Sequence, residues 1–187
     1  MDWMDKINRP YTVTFKLPRS DDTSLSPSPR AKLDEIANKA IRSCTFNSAI
    51  YVVFCNDLPQ YVGQSGDVCT RFINGVNYEA NGYLWPKIGG EFTVYFFEVP
   101  LEEHFRTAVE IEVMLLIRLY IGYWPIETSG AQPFHQLKTK NHAINLASTR
   151  AREILDWLIQ LQPKFEDTAQ DPLLASFDHS EANLNRR

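Results

Sequence analysis

The sequence predicts an α+β fold: a small antiparallel sheet of three strands flanked by helices, with extra helices near both ends of the chain. A continuous apolar stretch over residues 49–55, turn residues at 56–59 and a second stretch over 60–63 predict a β-hairpin. Residues 91–99 are aromatic and β-branched, which favours a third strand. Residues 102–120 have a helical pattern that is apolar nearly all round, so this helix should be buried.

Shorter patterns fill the first half of the chain. Residues 11–17 alternate in a way that is compatible with a short strand, and residues 18–29 are rich in Ser, Asp and Pro, which is typical of a linker. Residues 30–44 place their apolar side chains on one helical face. After the hairpin, Asp67 is expected to cap a short helix that ends near Asn74.

The end of the chain is expected to be an irregular loop over residues 131–147, then an amphipathic helix capped by Ser148 or Thr149, then a polar tail. The chain is therefore divided into three parts. These are an N-terminal extension with a helix (1–46), a central domain (47–147), and a C-terminal helix and polar tail that pack on or trail that domain (148–187).

Composition excludes several classes of protein. With 187 residues, 44% hydrophobic and 22% charged, the chain is neither disordered throughout nor collagen-like nor a coiled coil. Three cysteines without a CxxC pair argue against a disulfide framework or a zinc knuckle and fit reduced thiols in the cytoplasm. No membrane span or secretory signal is expected. A net charge of −4 provides no bulk attraction to nucleic acid, so phosphate binding requires a local patch.

Two places in and after the hairpin are candidates for chemistry. Tyr51 and Tyr61 lie on adjacent predicted strands, where their hydroxyls can share one side of the sheet; the alternative is ordinary cross-strand packing. Gly63 and Gly66 allow the backbone to approach a ligand closely. Arg71 then follows on the short helix, where its planar fork suits a phosphate; the alternative is a solvated surface arginine.

A third candidate is Glu112 on the long helix. Its neighbours on the helix surface are apolar, and a buried carboxylate is costly unless something pairs with it. Mg²⁺ is one possible partner, because it binds one or two carboxylates together with waters and phosphate oxygens. A buried pair with Arg71 or a tyrosine hydroxyl is the alternative. Glu110 lies four residues after Arg106, so a surface ion pair accounts for it.

Taken in order, these residues resemble the signature of the GIY-YIG nuclease family. The resemblance covers roughly residues 47–147. It consists of two triplets, a helical arginine, and a glutamate followed by a hydrophobic pair: Ala49-Ile50-Tyr51, Tyr61-Val62-Gly63, Arg71, and Glu112 with Leu115-Leu116.

The resemblance implies an endonuclease that hydrolyses phosphodiester bonds in DNA with Mg²⁺ or Mn²⁺; RNA is not excluded. It implies that Glu112 binds the metal and that Arg71 neutralises charge on the phosphoryl oxygens. Tyr51 would act as the general base for water or position that base, and Tyr61 would orient the water or hold the phosphate, with Gly63 in support. A compact, standalone nuclease of the restriction or toxin type is the closest analogy, and a homodimer would serve a palindromic target.

Three positions depart from the family pattern. Ala49 replaces the first glycine, and Gly75 occupies a position where many members carry a basic residue. The family asparagine falls at Trp124, so Asn145 can take its supporting role only if residues 125–143 are an insertion. These departures favour the alternative function, a catalytically silent GIY-YIG-like domain that binds nucleic acid or a protein partner. The expected nucleic-acid contacts are Lys138, Lys140, His142 and Arg150.

Overall fold

The computed structural model describes residues 7–17, 35, 38–39, 41, 44–45, 47–76, 89–122 and 141–162. Within these residues the fold is α+β, as predicted. The elements are β1 (Tyr11–Leu17), β2 (Ala49–Cys55), β3 (Leu58–Ser65), α1 (Val68–Val76), β4 (Gly90–Glu98), α2 (Glu103–Ile121) and α3 (Asn141–Leu161). No helix in the described ranges combines the length and apolar character that crossing a membrane requires.

The sheet has four antiparallel strands in the order β1-β4-β2-β3, one more than the sequence predicted. The additional strand is β1, which pairs with β4 over its whole length from Tyr11 opposite Phe96 to Leu17 opposite Gly90. Its alternating pattern buries Val13, Phe15 and Leu17 on one face of the sheet. Part of the predicted N-terminal extension therefore completes the central sheet by covering the edge of β4.

The predicted hairpin is confirmed as β2 and β3, with a turn shorter than expected. Asn56 and Asp57 form the turn with φ values of 49° and 67°, a left-handed conformation that Asn and Asp tolerate better than most residues. Leu58 and Pro59, predicted as turn residues, already belong to β3. The register shifts beside Phe54, where Gln60 is the extra residue of a β-bulge.

Buried side chains form two clusters, one on each face of the sheet. Ile50, Val52 and Phe54 of β2 pack with α2 and α3, on what we call the α2 face. The alternate residues Tyr51 and Val53 pack with Val68 and Phe72 of α1, on what we call the α1 face. Helix α2 lies close to the edge strand β3, and α1 begins three residues after β3 ends, with its buried residues on the opposite face of the sheet.

The boundaries of α1 and α2 agree with the sequence. Asp67 caps α1 as predicted, since its Oδ1 accepts a hydrogen bond of 2.9 Å from the backbone N–H of Thr70. Helix α2 ends at Gly122, whose φ of 83° and N–H bond to the Arg118 carbonyl are typical of a helix C-terminus.

The third helix begins at Asn141, so the predictions of a loop through residue 147 and of a cap at Ser148 or Thr149 are wrong. The apolar stripe of α3 starts before the predicted cap, and its members are buried: Ala147, Ala151, Ile154 and Leu158. Packing against α2 therefore continues the helix through two residues that otherwise favour helix starts.

Candidate functional site

Two tyrosines of the hairpin lie against each other on the α1 face. The ring centroids of Tyr51 and Tyr61 are 5.7 Å apart with an interplanar angle of 36°. Tyr51 also contacts Phe96 of β4, at a centroid distance of 5.8 Å. Its side chain is 2% exposed, whereas that of Tyr61 is partly exposed. The hairpin thus holds both rings in one place, and the more accessible side chain is that of Tyr61.

Gly63 makes this arrangement possible. It stands directly opposite Tyr51 in the strand register. A Cβ atom at this position would lie 2.5 Å from Cζ and Oη of Tyr51 and 2.5 Å from Cε1 of Tyr61. From the sequence, Gly63 was expected to let the backbone approach a ligand closely. In the structure, the groups close to Gly63 are the two tyrosine rings.

Arg71 lies on the exposed side of α1, one turn after the cap. Its backbone N–H donates to the Asp67 carbonyl at 3.0 Å, and the next residue, Phe72, is buried beside Tyr51 in the α1-face cluster. Helix α1 therefore presents the guanidinium to solvent from a backbone that is fixed close to the tyrosine pair. The guanidinium also interacts electrostatically with Glu110 of α2.

Of the two candidate glutamates, Glu110 is the one whose carboxyl is affected by the charge of Arg71. Glu110 and Glu112 are two residues apart on one helix and therefore project about 160° apart around its axis. The expected ion pair between Arg106 and Glu110 is not among the contacts of the described residues. Arg106 instead donates to Oε1 of Gln64 at 3.1 Å. The reason for preferring Glu112 over Glu110 is thereby removed.

No local sequence signal identifies Glu110, because its partner comes from a different helix on the other face of the sheet. Sequence spacing within α2 shows only Arg106 one turn earlier. The contact becomes visible only when the register of α2 against β3 is known. Gln64 and Arg106 determine that register, and they were not among the predicted site residues.

Burial raises the pKa of the Glu110 carboxyl to about 7, and the nearby Arg71 guanidinium opposes this rise. At neutral pH the carboxyl is thus balanced between its protonated and ionised forms. Such a group can exchange a proton with a ligand, or bind a cation and release its proton.

A magnesium-type ion is compatible with this site. The described residues contain no group of three or more His, Cys, Asp or Glu side chains placed to share a metal. Mg²⁺ does not need such a group, since it commonly binds through one or two carboxylates and completes its shell with waters and phosphate oxygens. The partly buried Glu110 carboxylate, beside a guanidinium that attracts phosphate, provides that minimal donor set.

The predicted nucleic-acid contacts are placed only in part. Lys138 and Lys140 lie outside the described residues, and for His142 and Asn145 the structure describes only the backbone, in the first two turns of α3. Arg150 is 7% exposed, and its Nη1 donates to Oε2 of Glu153 at 2.7 Å. This guanidinium is held in an ion pair within the fold rather than presented to a ligand.

Comparison with known proteins finds no matching family model, no matching curated protein and no matching solved structure. The residues and contacts described above are therefore the basis for a functional proposal.

Replacing Glu110 by Gln is expected to stabilise the protein at pH 8 by about 1–3 kcal/mol. The folded-state pKa of about 7 exceeds the ordinary value of 4.5, so the folded protein binds more protons between these values. Stability should therefore fall as pH rises from about 4.5 to about 7, and the neutral amide should abolish that fall. Urea unfolding at pH 4.5 and pH 8 measures this change in the free energy of unfolding. Glu112→Gln is the matched control, and an identical pH dependence of both variants would contradict the expectation.

Proposed function

We propose that this protein is a metal-dependent endonuclease that hydrolyses phosphodiester bonds in DNA. The observation that carries the proposal is the electrostatic interaction between the exposed Arg71 and the partly buried Glu110. One group attracts an anion, and the other is a carboxyl that needs a proton or a cation to offset its burial. A phosphate with an associated divalent cation satisfies both.

Arg71 is proposed to bind the phosphoryl oxygens. A guanidinium presents a rigid fork of N–H donors that matches two oxygens of a phosphate, and it stays charged at every physiological pH. Its position on a capped helix limits the reorganisation needed when negative charge develops on the phosphoryl group. Its exposure leaves room for a polymeric substrate.

The tyrosine pair is proposed to handle the attacking water. A free tyrosine titrates near 10, so a tyrosine base requires a nearby positive charge to act at neutral pH. Tyr51, as predicted from the sequence, takes the role of the base or positions it, while the more exposed Tyr61 orients the water or holds the phosphate. The contact of both rings with Gly63 keeps their relative position unchanged as the substrate binds.

Glu110 is the carboxylate that we propose to hold Mg²⁺ or Mn²⁺, in place of the Glu112 expected from the sequence. When bound, such an ion supplies Lewis-acid polarisation of the phosphate. The residues of the chain keep the ion's carboxylate ligand on the side of α2 that faces Arg71.

A catalytically silent domain that binds nucleic acid or a protein partner is the second candidate. Gly75 in place of a basic residue and the internal ion pair of Arg150 both favour it, because they leave fewer cations for a phosphate. Binding of nucleic acid without cleavage would support this second function.

Supercoiled plasmid incubated with the purified protein tests the proposal. We expect nicked or linear product with Mg²⁺ and none with EDTA, and a parallel incubation with RNA shows which nucleic acid is preferred. Arg71→Ala prepared in the same way controls for contaminating nuclease, since a contaminant would survive that substitution. The proposal fails if several DNAs and RNAs remain intact at every divalent cation tested.

A further inference from the structure

Arg106 is a buried cation whose hydrogen-bond acceptors in the described residues are both uncharged. Its side chain is 8% exposed, its Nε donates to Oε1 of Gln64 at 3.1 Å, and its Nη1 donates to the backbone carbonyl of Leu101. Within the described ranges no carboxylate lies at ion-pair distance from it. Burying a guanidinium without a counter-charge is costly, and among the described residues nothing compensates this positive charge.

The remaining nitrogen of this guanidinium, Nη2, lies next to Gly66. A Cβ atom added to Gly66 would lie 3.3 Å from Nη2 of Arg106, and Gly66 itself is exposed. Nη2 donates no hydrogen bond within the described residues. It is nevertheless not fully buried among them. It therefore keeps some solvent exposure beside Gly66, and a side chain at position 66 would press against it.

The neighbouring polar groups are already occupied. Asp67 directs its carboxylate to Thr70 of α1, through the N–H at 2.9 Å and the hydroxyl at 2.7 Å. The hydroxyl of Ser65 donates to the Asp67 carbonyl and accepts from the Asp67 N–H. Because these groups already have partners, an anion that approaches Gly66 would contact the Arg106 guanidinium.

We propose that Arg106 and Gly66 form a second oxyanion site, which binds a phosphate-type group. On the proposed function, this group is a backbone phosphate of the nucleic acid that neighbours the phosphate at Arg71. Arg106 of α2 donates to Gln64 and lies next to Gly66, and Arg71 follows seven residues after Gln64, so both guanidiniums are placed by the stretch of chain that joins β3 to α1. Two fixed phosphate contacts would set the position of the nucleic-acid strand on the protein, and therefore which phosphodiester bond is cut.

The decisive variant is Gly66→Val, which places a side chain against Nη2 while the guanidinium itself is kept. Arg106→Gln removes the charge itself. Because this substitution also alters the hydrogen bonds of Arg106 to Gln64 and Leu101, the melting temperature of the variant is measured to check that it folds. Thr12→Val is the matched control, since it adds the same side chain at an exposed position on β1, at the opposite edge of the sheet.

Binding is measured in EDTA, so that cleavage plays no part. Titration of ¹⁵N-labelled protein with inorganic phosphate should shift the Arg106 Nε–H resonance saturably, and Gly66→Val should abolish the shift. Affinity for a double-stranded oligonucleotide should fall about tenfold in Gly66→Val, and the slope of log affinity against log salt should decrease by about one, as for one lost phosphate contact. Thr12→Val should match the wild type in both measurements.

Each other result has a defined meaning. An unshifted Arg106 resonance together with an unchanged salt slope would overturn the site, even if the wild-type protein cleaves DNA. A phosphate-induced shift with an unchanged slope would show that the site takes free phosphate, which overturns its assignment to the nucleic-acid backbone. A phosphate-induced shift in a protein that binds no oligonucleotide would support the oxyanion site and contradict the proposed function.

Discussion

Glu110→Gln is expected to lower Mg²⁺-dependent cleavage of supercoiled plasmid by about 10²–10³-fold, the usual loss when one electrostatic element of an active site is removed. Glu112→Gln is expected to retain most of the activity, because Glu112 projects from α2 in a different direction from the carboxylate that faces Arg71. Initial rates of nicking at several Mg²⁺ concentrations measure both effects. The comparison is matched, since each variant replaces one glutamate of the same helix by its amide.

Loss of folding does not explain the expected result for Glu110→Gln, because this variant should be more stable than the wild type at the pH of the assay. The reverse pattern, an active Glu110→Gln and an inactive Glu112→Gln, would restore the carboxylate predicted from the sequence and contradict the assignment made from the structure. Full activity of both variants would show that neither carboxylate is needed.

Gly63→Ala is expected to destabilise the protein by about 3 kcal/mol, near the upper end of what overpacking usually costs. Strand propensity predicts the opposite sign, since Ala is normally favoured over Gly inside a regular element by about 0.5–1 kcal/mol. The steric term dominates because the new Cβ would lie 2.5 Å from atoms of both Tyr51 and Tyr61. Tyr51 is held in the core by Phe96 and cannot move away without disturbing the sheet.

Urea denaturation of Gly63→Ala against Gly66→Ala measures this effect. A Cβ at Gly66 meets only Nη2 of Arg106, at 3.3 Å, so the stability of that variant should remain close to wild type. Cleavage by Gly63→Ala should also fall, because the tyrosine pair loses its arrangement. Equal stability of the two variants would show that the rings relax freely, and would remove the structural reason for a glycine at position 63.

Patterns within short segments predicted most of the elements around the site. The turn residues Asn56 and Asp57 predicted the hairpin, because few residues adopt the left-handed backbone that a tight turn requires. Asp67 predicted the start of α1, because its carboxylate satisfies a backbone N–H only a few residues away. Both interactions are local, and the sequence shows all of their participants.

Predictions failed where a distant segment contributed the partner. The fourth strand of the sheet comes from Tyr11–Leu17, whose neighbour β4 lies some 80 residues later in the chain. The start of α3 was placed too late because Ser148 favours a cap, whereas packing of Ala147 against the α2 face favours a continuous helix. For β1 the local pattern was compatible with a strand but could not show its partner, whereas for α3 tertiary burial outweighed a local preference of about 1 kcal/mol or less.

For this protein, the sequence by itself determined the hairpin, the cap of α1 and the end of α2, because these depend on contacts within about one helical turn or one tight turn. It also contained the polar residues around which a site could form. The tertiary structure alone decided which glutamate of α2 faces Arg71, and it placed Arg106 beside Gly66. A helix exposes residues in every direction, and only its packing against β3 selects the direction that meets α1.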